Sequence, residues 1–471
     1  MSEMDFDLLV IGSGPAGQKA AIQAAKSSRR VALVESDRYL GGACVQRGTI
    51  PSKTLRESAL RIRQLRRYQE LLDFSFRPGA EMAALIRNLQ DVLSAHHRFI
   101  GDQLKRNGVQ RLHGRASFLA PDTVQVEALR GEKTRYRAAH VLIATGSYPR
   151  KAADVPVDHE HILDSDSVLS MLYLPESMIV LGGGIIASEY ASVFASLGVR
   201  VTMIDRYPRP LGFMDPEIVD RFVAAFRASG GEFIGSAQIA EVRWDGVSQV
   251  VTRLDDGREY SAEKLLSAAG RVANVEGLGL AAAGLTLSEA GHIPVNEWCQ
   301  TVVPTIYAAG DVIGPPSLAS ASMEQGRRAS AHALGVDLGD MSALIPMGIY
   351  AIPEISSIGS DEAAARKSVP TVLVGRAQFS EIARGHISDN QDGMLKMVSD
   401  GTGRLLGVQI VGEGATELIH IAQMGMLAGA GATDFVENIF NFPTLAEAYR
   451  VAALQITVQM PADQSRTALA L

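Results

Sequence analysis

The residues best suited to chemistry are two glycine-rich sets, each paired with an acid. Gly12, Gly14 and Gly17 lie in Gly12-Ser13-Gly14-Pro15-Ala16-Gly17, and Gly182, Gly184 and Ala187 lie in Gly182-Gly183-Gly184-Ile185-Ile186-Ala187. Glu35 stands as far beyond Gly12 as Asp205 stands beyond Gly182. In such a set the first glycine permits a tight turn, the second lets backbone approach a pyrophosphate, and the third position keeps helix and strand close. The helix that follows offers unpaired N–H groups and a positive dipole end to the phosphates. The acid accepts hydrogen bonds from an adenosine ribose. One such pattern is weak evidence. Two copies, each with its acid, predict two dinucleotides bound by one chain.

Those residues need strands and helices to hold them. Each set follows an apolar run, Leu8 to Ile11 and Met178 to Leu181, and opens an Ala-rich helical stretch. A second apolar run then ends in the acid: Val31 to Val34 before Glu35, and Val199 to Ile204 before Asp205. The implied unit is strand, turn, helix, strand, twice over. Between the units, Leu40 to Lys53 is glycine-rich and carries Cys44. Helices are expected over roughly 54–72 and 81–107, separated by the turn-rich Phe76-Arg77-Pro78-Gly79. Alternation from Val109 to Leu142 predicts strands, broken at Pro121-Asp122 and Arg130-Gly131 and ending at Ile143-Ala144-Thr145-Gly146-Ser147. The second unit runs to Gly270-Arg271, with a strand near 249–254. Ile306-Tyr307-Ala308-Ala309-Gly310-Asp311 is a small-residue strand ending in an acid, followed by a helix over 320–333. From Pro346 onward come strands near 395–398 and 406–411, a helix over 417–427 and a last segment over 443–458. The expected fold is α/β: two Rossmann-like domains, one inserted in the other, and a C-terminal α+β domain. The expected division is 1–155 with 276–345 for the first dinucleotide, 156–275 for the second, and 346–471 for association.

Composition excludes several classes. The 471 residues are 46% hydrophobic, enough for about three cores, and the net charge of -7 argues against a phosphate-backbone footprint and hence against nucleic acid. Arg61, Arg63, Arg66 and Arg67 form the only basic stretch, at the spacing of a solvated helix face. No apolar segment is long enough to span a bilayer, and the acidic start does not read as a secretory signal. Two cysteines, Cys44 and Cys299, cannot form a disulfide framework, so a reducing cytoplasm is the expected compartment. His159-Glu160-His161 is expected to be loop, and no metal is expected.

Taken together these landmarks resemble the pyridine nucleotide-disulfide oxidoreductases over essentially the whole chain. The resemblance implies FAD contacts at Gly12, Gly14, Gly17, Glu35, Cys44, Thr49, Thr145 and Gly146, and at Gly310 with Asp311, whose acid reaches the ribityl chain. It implies a nicotinamide nucleotide site at Gly182, Gly184, Ala187 and Asp205, and it counts Arg271 among the cofactor contacts. Lys53 in Ile50-Pro51-Ser52-Lys53 and Glu189 in Ser188-Glu189-Tyr190 match a lysine and glutamate paired beside flavin N5. Arg206 and Arg209, directly after Asp205, are expected to clamp a 2'-phosphate.

The departures are as informative. Disulfide reductases of the family carry Cys-x4-Cys before Ile-Pro-Ser-Lys, whereas this chain reads Cys44-Val45-Gln46-Arg47-Gly48-Thr49. They also carry a histidine before Pro-Thr near the C-terminus; here Phe442 holds that place, although Glu447 remains. A redox disulfide needs two thiols, and thiol chemistry needs a group titrating near neutrality. Both are gone. The motifs most resemble the transhydrogenase branch of the family, which implies ping-pong hydride transfer between NADPH and NAD+ through FAD in a homodimer or higher oligomer. The alternatives are an NAD(P)H-dependent reductase of quinone or another small acceptor, and a non-catalytic nucleotide sensor.

Overall fold

The computed structural model describes residues 4–67 and 82–461, except the side chains of Arg66 and Arg67. The expected turn at Phe76 to Gly79 and the end of the helix near Leu72 lie outside the described residues.

The first sheet grows from β1 (Phe6–Ile11), α1 (Pro15–Lys26) and β2 (Val31–Glu35). Two helices follow, α2 (Gly42–Gln46) and α3 (Thr49–Arg67), then α4 (Met82–Leu85) and α5 (Leu89–Arg106). β3 (Gln110–His113) pairs parallel with β2, while β4 (Arg115–Ala120) and β5 (Thr123–Glu127) run antiparallel into the long β6 (Lys133–Ile143). The first half of β6 pairs with β5; the second half lies parallel to β1. Alternate residues of the parallel strands feed opposite faces. Leu8, Val10 and Leu142 enter one core, and Leu9, Ile11, Val141 and Ile143 the other. That is why these strands are nearly continuous apolar runs.

After β7 (Ser147–Pro149) the chain builds a second parallel sheet. Its members are β8 (Ile162–Asp164), β9 (Ser177–Leu181) with α6 (Ile185–Leu197), β10 (Arg200–Ile204) with α7 (Pro216–Ala228), and β11 (Glu232–Ile234). A meander of β12 (Ile239–Trp244), β13 (Val250–Leu254) and β14 (Glu259–Ala262) precedes β15 (Lys264–Ser267), which completes the order β11-β10-β9-β15-β8. β16 (Arg271–Ala273) pairs antiparallel with β7, closing the insertion, and β17 (Ile306–Ala308) returns to β6 of the first sheet, followed by α8 (Ala319–Ala333). α6 is buried at every position from Ala187 to Leu197, as an apolar helix packed on several sides must be, and ends at Gly198 with φ +97°.

The C-terminal part is an antiparallel sheet in the order β18-β19-β22-β21-β20. It comprises β18 (Met347–Ile349), β19 (Ile355–Gly359), α9 (Glu362–Ser368), β20 (Val372–Gln378), α10 (Ala383–Ile387), β21 (Met394–Asp400) and β22 (Leu405–Val411). α11 (Ala415–Leu427), α12 (Ala432–Glu437) and α13 (Glu447–Gln459) pack with it. Two nucleotide-type sheets, one inserted in the other, plus an α+β part agree with the expected fold class.

Local expectations shift in two places. Lys53 sits within α3, which begins at Thr49 rather than near residue 54. The stretch expected as one helix over 81–107 breaks between α4 and α5. His161 stacks on Trp244 at 3.7 Å between ring centroids, and the Asp158 carboxylate accepts from the backbone N–H groups of Glu160, His161 and Ile162, an ordered loop. Cys299 is a buried, unpaired member of the core between β1 and its covering helices, its thiol pushed up to about 11 by burial.

Candidate active site

The two glycine turns are built alike. Gly12 has φ +105° and Gly182 φ +111°, conformations that favour glycine; a methyl group at Gly12 would collide with the Ala144 carbonyl, and one at Gly182 with that of Ala268. The second glycines differ from the first: a methyl at Gly14 or Gly184 would meet no protein atom within 4 Å. Each is the N-cap of its helix, α1 or α6, and neither helix receives a side-chain cap. The first N–H groups of both helices therefore face open space suited to an anion. At the third position Gly17 has no room for a methyl against the Gly12 carbonyl, whereas Ala187 is accommodated, fully buried.

Glu35 closes onto the first turn. Its Oε2 accepts from Ser13 N at 2.9 Å and Ser13 Oγ at 2.5 Å, and its Oε1 from Asp37 N at 2.8 Å. Further acceptor capacity remains for a ribose hydroxyl. Asp205 occupies the equivalent place against Gly183, and burial pushes its carboxyl up, opposed by hydrogen bonds from backbone N–H groups and by Arg206.

Asp311, after β17, accepts from Ser147 Oγ at 2.7 Å. The Arg271 guanidinium braces that serine, Nε donating to Ser147 Oγ and Nη2 to Ser147 O, while Nη1 reaches Ser165 and Asp166. Arg271, expected as a cofactor contact, thus has all its nitrogens on protein, tying β7 to the loop after β8. Gly310 N donates to Gln325 Oε1. Thr145 Oγ1 is buried with no hydrogen-bond partner among the described residues, beside Gly146 with φ +71°. An orphaned hydroxyl, two uncapped helix starts and an unobstructed second glycine are what a bound dinucleotide would satisfy.

α3 and α6 bring the charged pair together. Lys53 Nζ donates to Glu189 Oε2 at 2.7 Å, and Glu189 Oε1 accepts from Tyr350 N at 2.8 Å. The Tyr350 ring lies 4.9 Å from the ammonium. Glu189 is 9% exposed and Lys53 25%, so the anion is inside and the cation reaches outward. Cys44, on α2, lies among Thr49, Lys53 and Asp311. Burial raises its thiol above the ordinary value, against the Thr49 hydroxyl and the Lys53 charge. It stays protonated at neutral pH, a poor nucleophile. Tyr350, Ser147 and Gln325 act through backbone or bridging contacts that no spacing rule marks, although Ser147 follows Thr145-Gly146 directly.

Arg206 lies over the Tyr207 ring, and Arg209 pairs with Asp220 on α7. Phe442 is 75% exposed, and Glu447 accepts from Thr444 N near the start of α13.

The family model for pyridine nucleotide-disulphide oxidoreductases matches residues 6–326, and that for the family's dimerisation domain matches 345–453. The chain belongs to the pyridine nucleotide-disulphide oxidoreductase family. Proteins named soluble pyridine nucleotide transhydrogenase are similar to it over nearly full length. That of Mycobacterium bovis is 42% identical, with 97% of this chain and 98% of that protein covered; that of Colwellia psychrerythraea is 40% identical, covering 96% and 97%. Among solved structures, LpdA from Mycobacterium tuberculosis superposes with a TM-score of 0.88 at 28% identity, covering 95% of this chain and 99% of that one. The HOCl-induced flavoprotein disulfide reductase RclA from Escherichia coli shares the fold, with a TM-score of 0.87 at 24% identity, covering 96% and 100%. In this chain Lys53 pairs with Glu189, while Cys44 has the Thr49 hydroxyl, not a second thiol, as its hydrogen-bond partner.

Proposed function

We propose that this oxidoreductase transfers hydride between NADPH and NAD+ with FAD as its resident cofactor, without a redox disulfide. The observation that carries the reading is the intact Lys53 to Glu189 pair next to a lone, protonated Cys44. FAD, when bound, accepts a hydride equivalent from one nicotinamide and returns it to another. Ser13, Gly14, the start of α1 and Glu35 would bind its pyrophosphate and adenosine ribose, Thr145 and Asp311 its central part. Glu189, fixed by Tyr350 N, holds the Lys53 ammonium in place, and a preorganised cation stabilises negative charge that builds up beside it. Gly184, the start of α6 and Asp205 would hold the second dinucleotide, with Arg206 and Arg209 available to a 2'-phosphate. The division into 1–155 with 276–345, 156–275 and 346–471 follows the same roles. The match of 345–453 to a dimerisation domain supports a homodimer or higher homo-oligomer. No helix among the described residues is long and apolar enough to cross a membrane, and two unpaired cysteines suit a reducing cytoplasm.

With one nicotinamide site, the oxidised donor must leave before the acceptor enters. Mixing the anaerobic yellow protein with NADPH and a spectrally distinct NAD+ analogue is expected to reduce the analogue, with parallel double-reciprocal plots at low acceptor concentration. Failure to reduce the analogue, with rapid NADPH-dependent reduction of a quinone, would instead establish the small-acceptor reductase.

A further inference from the structure

A site that serves both nucleotides must bind a ribose with and without a 2'-phosphate. Asp205 suits the ribose with free hydroxyls and repels the phosphate. The phosphate therefore needs a cation that can be present for one substrate and withdrawn for the other.

The loop after β10 shows such a cation, withdrawn. Its backbone is pinned to the fingerprint: Leu211 N donates to Gly183 O at 2.7 Å, and the Pro210 Cα lies so near Gly183 that a methyl there would meet it at 3.1 Å. Ala237 N and Ser236 N bind the carbonyls of Asp205 and Tyr207. Arg209 thus stems from a fixed position next to Asp205 and the glycine turn. Its guanidinium is held by Asp220, Nε to Oδ1 at 2.8 Å and Nη2 to Oδ2 at 3.3 Å, the two-pronged geometry in which a phosphate would be gripped. Arg206, by contrast, rests on the Tyr207 ring and phenol, with no carboxylate among the described residues competing for it in a hydrogen bond.

Asp220 itself is a stationary post. α7 is anchored to the C-terminal sheet at three residues: Asp215 accepts from Lys396, Glu217 accepts from Arg376, and Arg221 donates to Asp392 O. A rigid helix presents the carboxylate, and the long Arg209 side chain is the moving part. Arg209 and Asp220 are both more than half exposed. An exposed pair of this kind is weak and readily exchanged, whereas a doubly charged phosphate offers the same fork more charge.

We propose that Asp220 is a specificity-determining residue that sets the nucleotide preference by competing with the 2'-phosphate for Arg209. The proposal rests on the reading of 182–209 as the nicotinamide nucleotide site. The NADPH-bound form has Arg209 on the phosphate, and the NAD-bound form returns it to Asp220, leaving Asp205 to the ribose hydroxyls.

The test uses the FAD-loaded protein and two fragments, 2',5'-ADP and 5'-AMP, titrated calorimetrically into wild type, Asp220→Asn, Arg209→Ala and the double variant. Asp220→Asn is expected to raise the preference for 2',5'-ADP over 5'-AMP by about two- to fivefold, the range an exposed ion pair can hold back. Arg209→Ala should lower that preference, and adding Asp220→Asn to it should change nothing further. An unchanged preference in Asp220→Asn, or the same gain in the Arg209→Ala background, overturns the latch, the latter because it marks a diffuse charge effect. Fragment binding does not depend on turnover. A latch that passes while the NAD+ analogue stays oxidised would remove the transhydrogenase reading alone.

Discussion

At the scale of single residues, the most telling contact is the Thr49 hydroxyl beside the Cys44 sulfur. The Thr49 hydroxyl acts on the Cys44 thiol as a hydrogen-bond partner, so a thiol in its place should give a pair able to form a disulfide. Anaerobic dithionite titration of the wild type is expected to consume about two electrons per flavin, the capacity of the flavin alone. Thr49→Cys should consume about four, since a disulfide is a two-electron couple. Uptake near four by the wild type would reveal a hidden dithiol and sink the relay-free mechanism; Cys44→Ser, expected to keep most transhydrogenase activity, is its control.

Elements add what single residues lack, a fixed distance between them. α1 crosses α8 so closely that a methyl at Gly326 would run into the Ala16 backbone, and the preceding Gln325 holds Gly310 N at the start of the Asp311 turn. Gly326→Ala should therefore push α8 away from α1 and disturb both ends of the first dinucleotide site at once. Overpacking of this kind costs about 1–3 kcal/mol. The expected result is a lower urea midpoint with an unchanged slope, accompanied by weaker FAD retention on gel filtration. A variant with wild-type midpoint and full flavin content would show that the crossing is soft.

For the whole molecule, a buried ionic cluster joins the second nucleotide sheet to the C-terminal sheet. Lys396, 3% exposed, donates to Asp215, which is 2% exposed, and contacts Glu217 and Glu362; Arg376 also reaches both glutamates. Burial raises Glu217 and Glu362, but hydrogen bonds from Lys396 and an arginine outweigh it, so both carboxyls lie below their ordinary value. Burial lowers Lys396, and the carboxylates reverse that, leaving it above its ordinary value. The carboxylate contribution is complete above about pH 4.3 and fades as pH falls through the depressed values; the lysine contribution is complete below about pH 10.4 and fades above it. Lys396→Met leaves Asp215 buried without its cation, a loss of about 3–5 kcal/mol at pH 7. The thermal midpoint gap from wild type should narrow as pH falls below about 4; a gap constant with pH would assign the effect to packing. Ile439 is 91% and Phe442 75% exposed, two solvent-facing apolar side chains in the part matched as a dimerisation domain. Ile439→Asp with Phe442→Asp should yield monomer mass in light scattering, because a carboxylate resists burial in an apolar interface. An unchanged oligomer would place the interface elsewhere.

Most of the fold class was legible because parallel strands covered on both faces must be apolar runs, and the turns between strand and helix at Gly12 and Gly182 demand glycine. The loss of the relay was equally legible, since Thr49 and Phe442 cannot perform thiol or imidazole chemistry wherever they sit. Contacts across the chain were not legible from the residues themselves. The pairing of Lys53 with Glu189 was expected only through the family resemblance; the packing of α3 on α6, with Tyr350 N arriving from the C-terminal part, is what positions it. Arg271, expected among the cofactor contacts, has its guanidinium on Ser147, Ser165 and Asp166, and Arg209, expected to clamp a phosphate, lies on Asp220. Side-chain type limits what a residue is able to bind. Which partner a flexible cation actually meets depends on elements brought together by burial of distant apolar surfaces, and that is decided only in the tertiary structure.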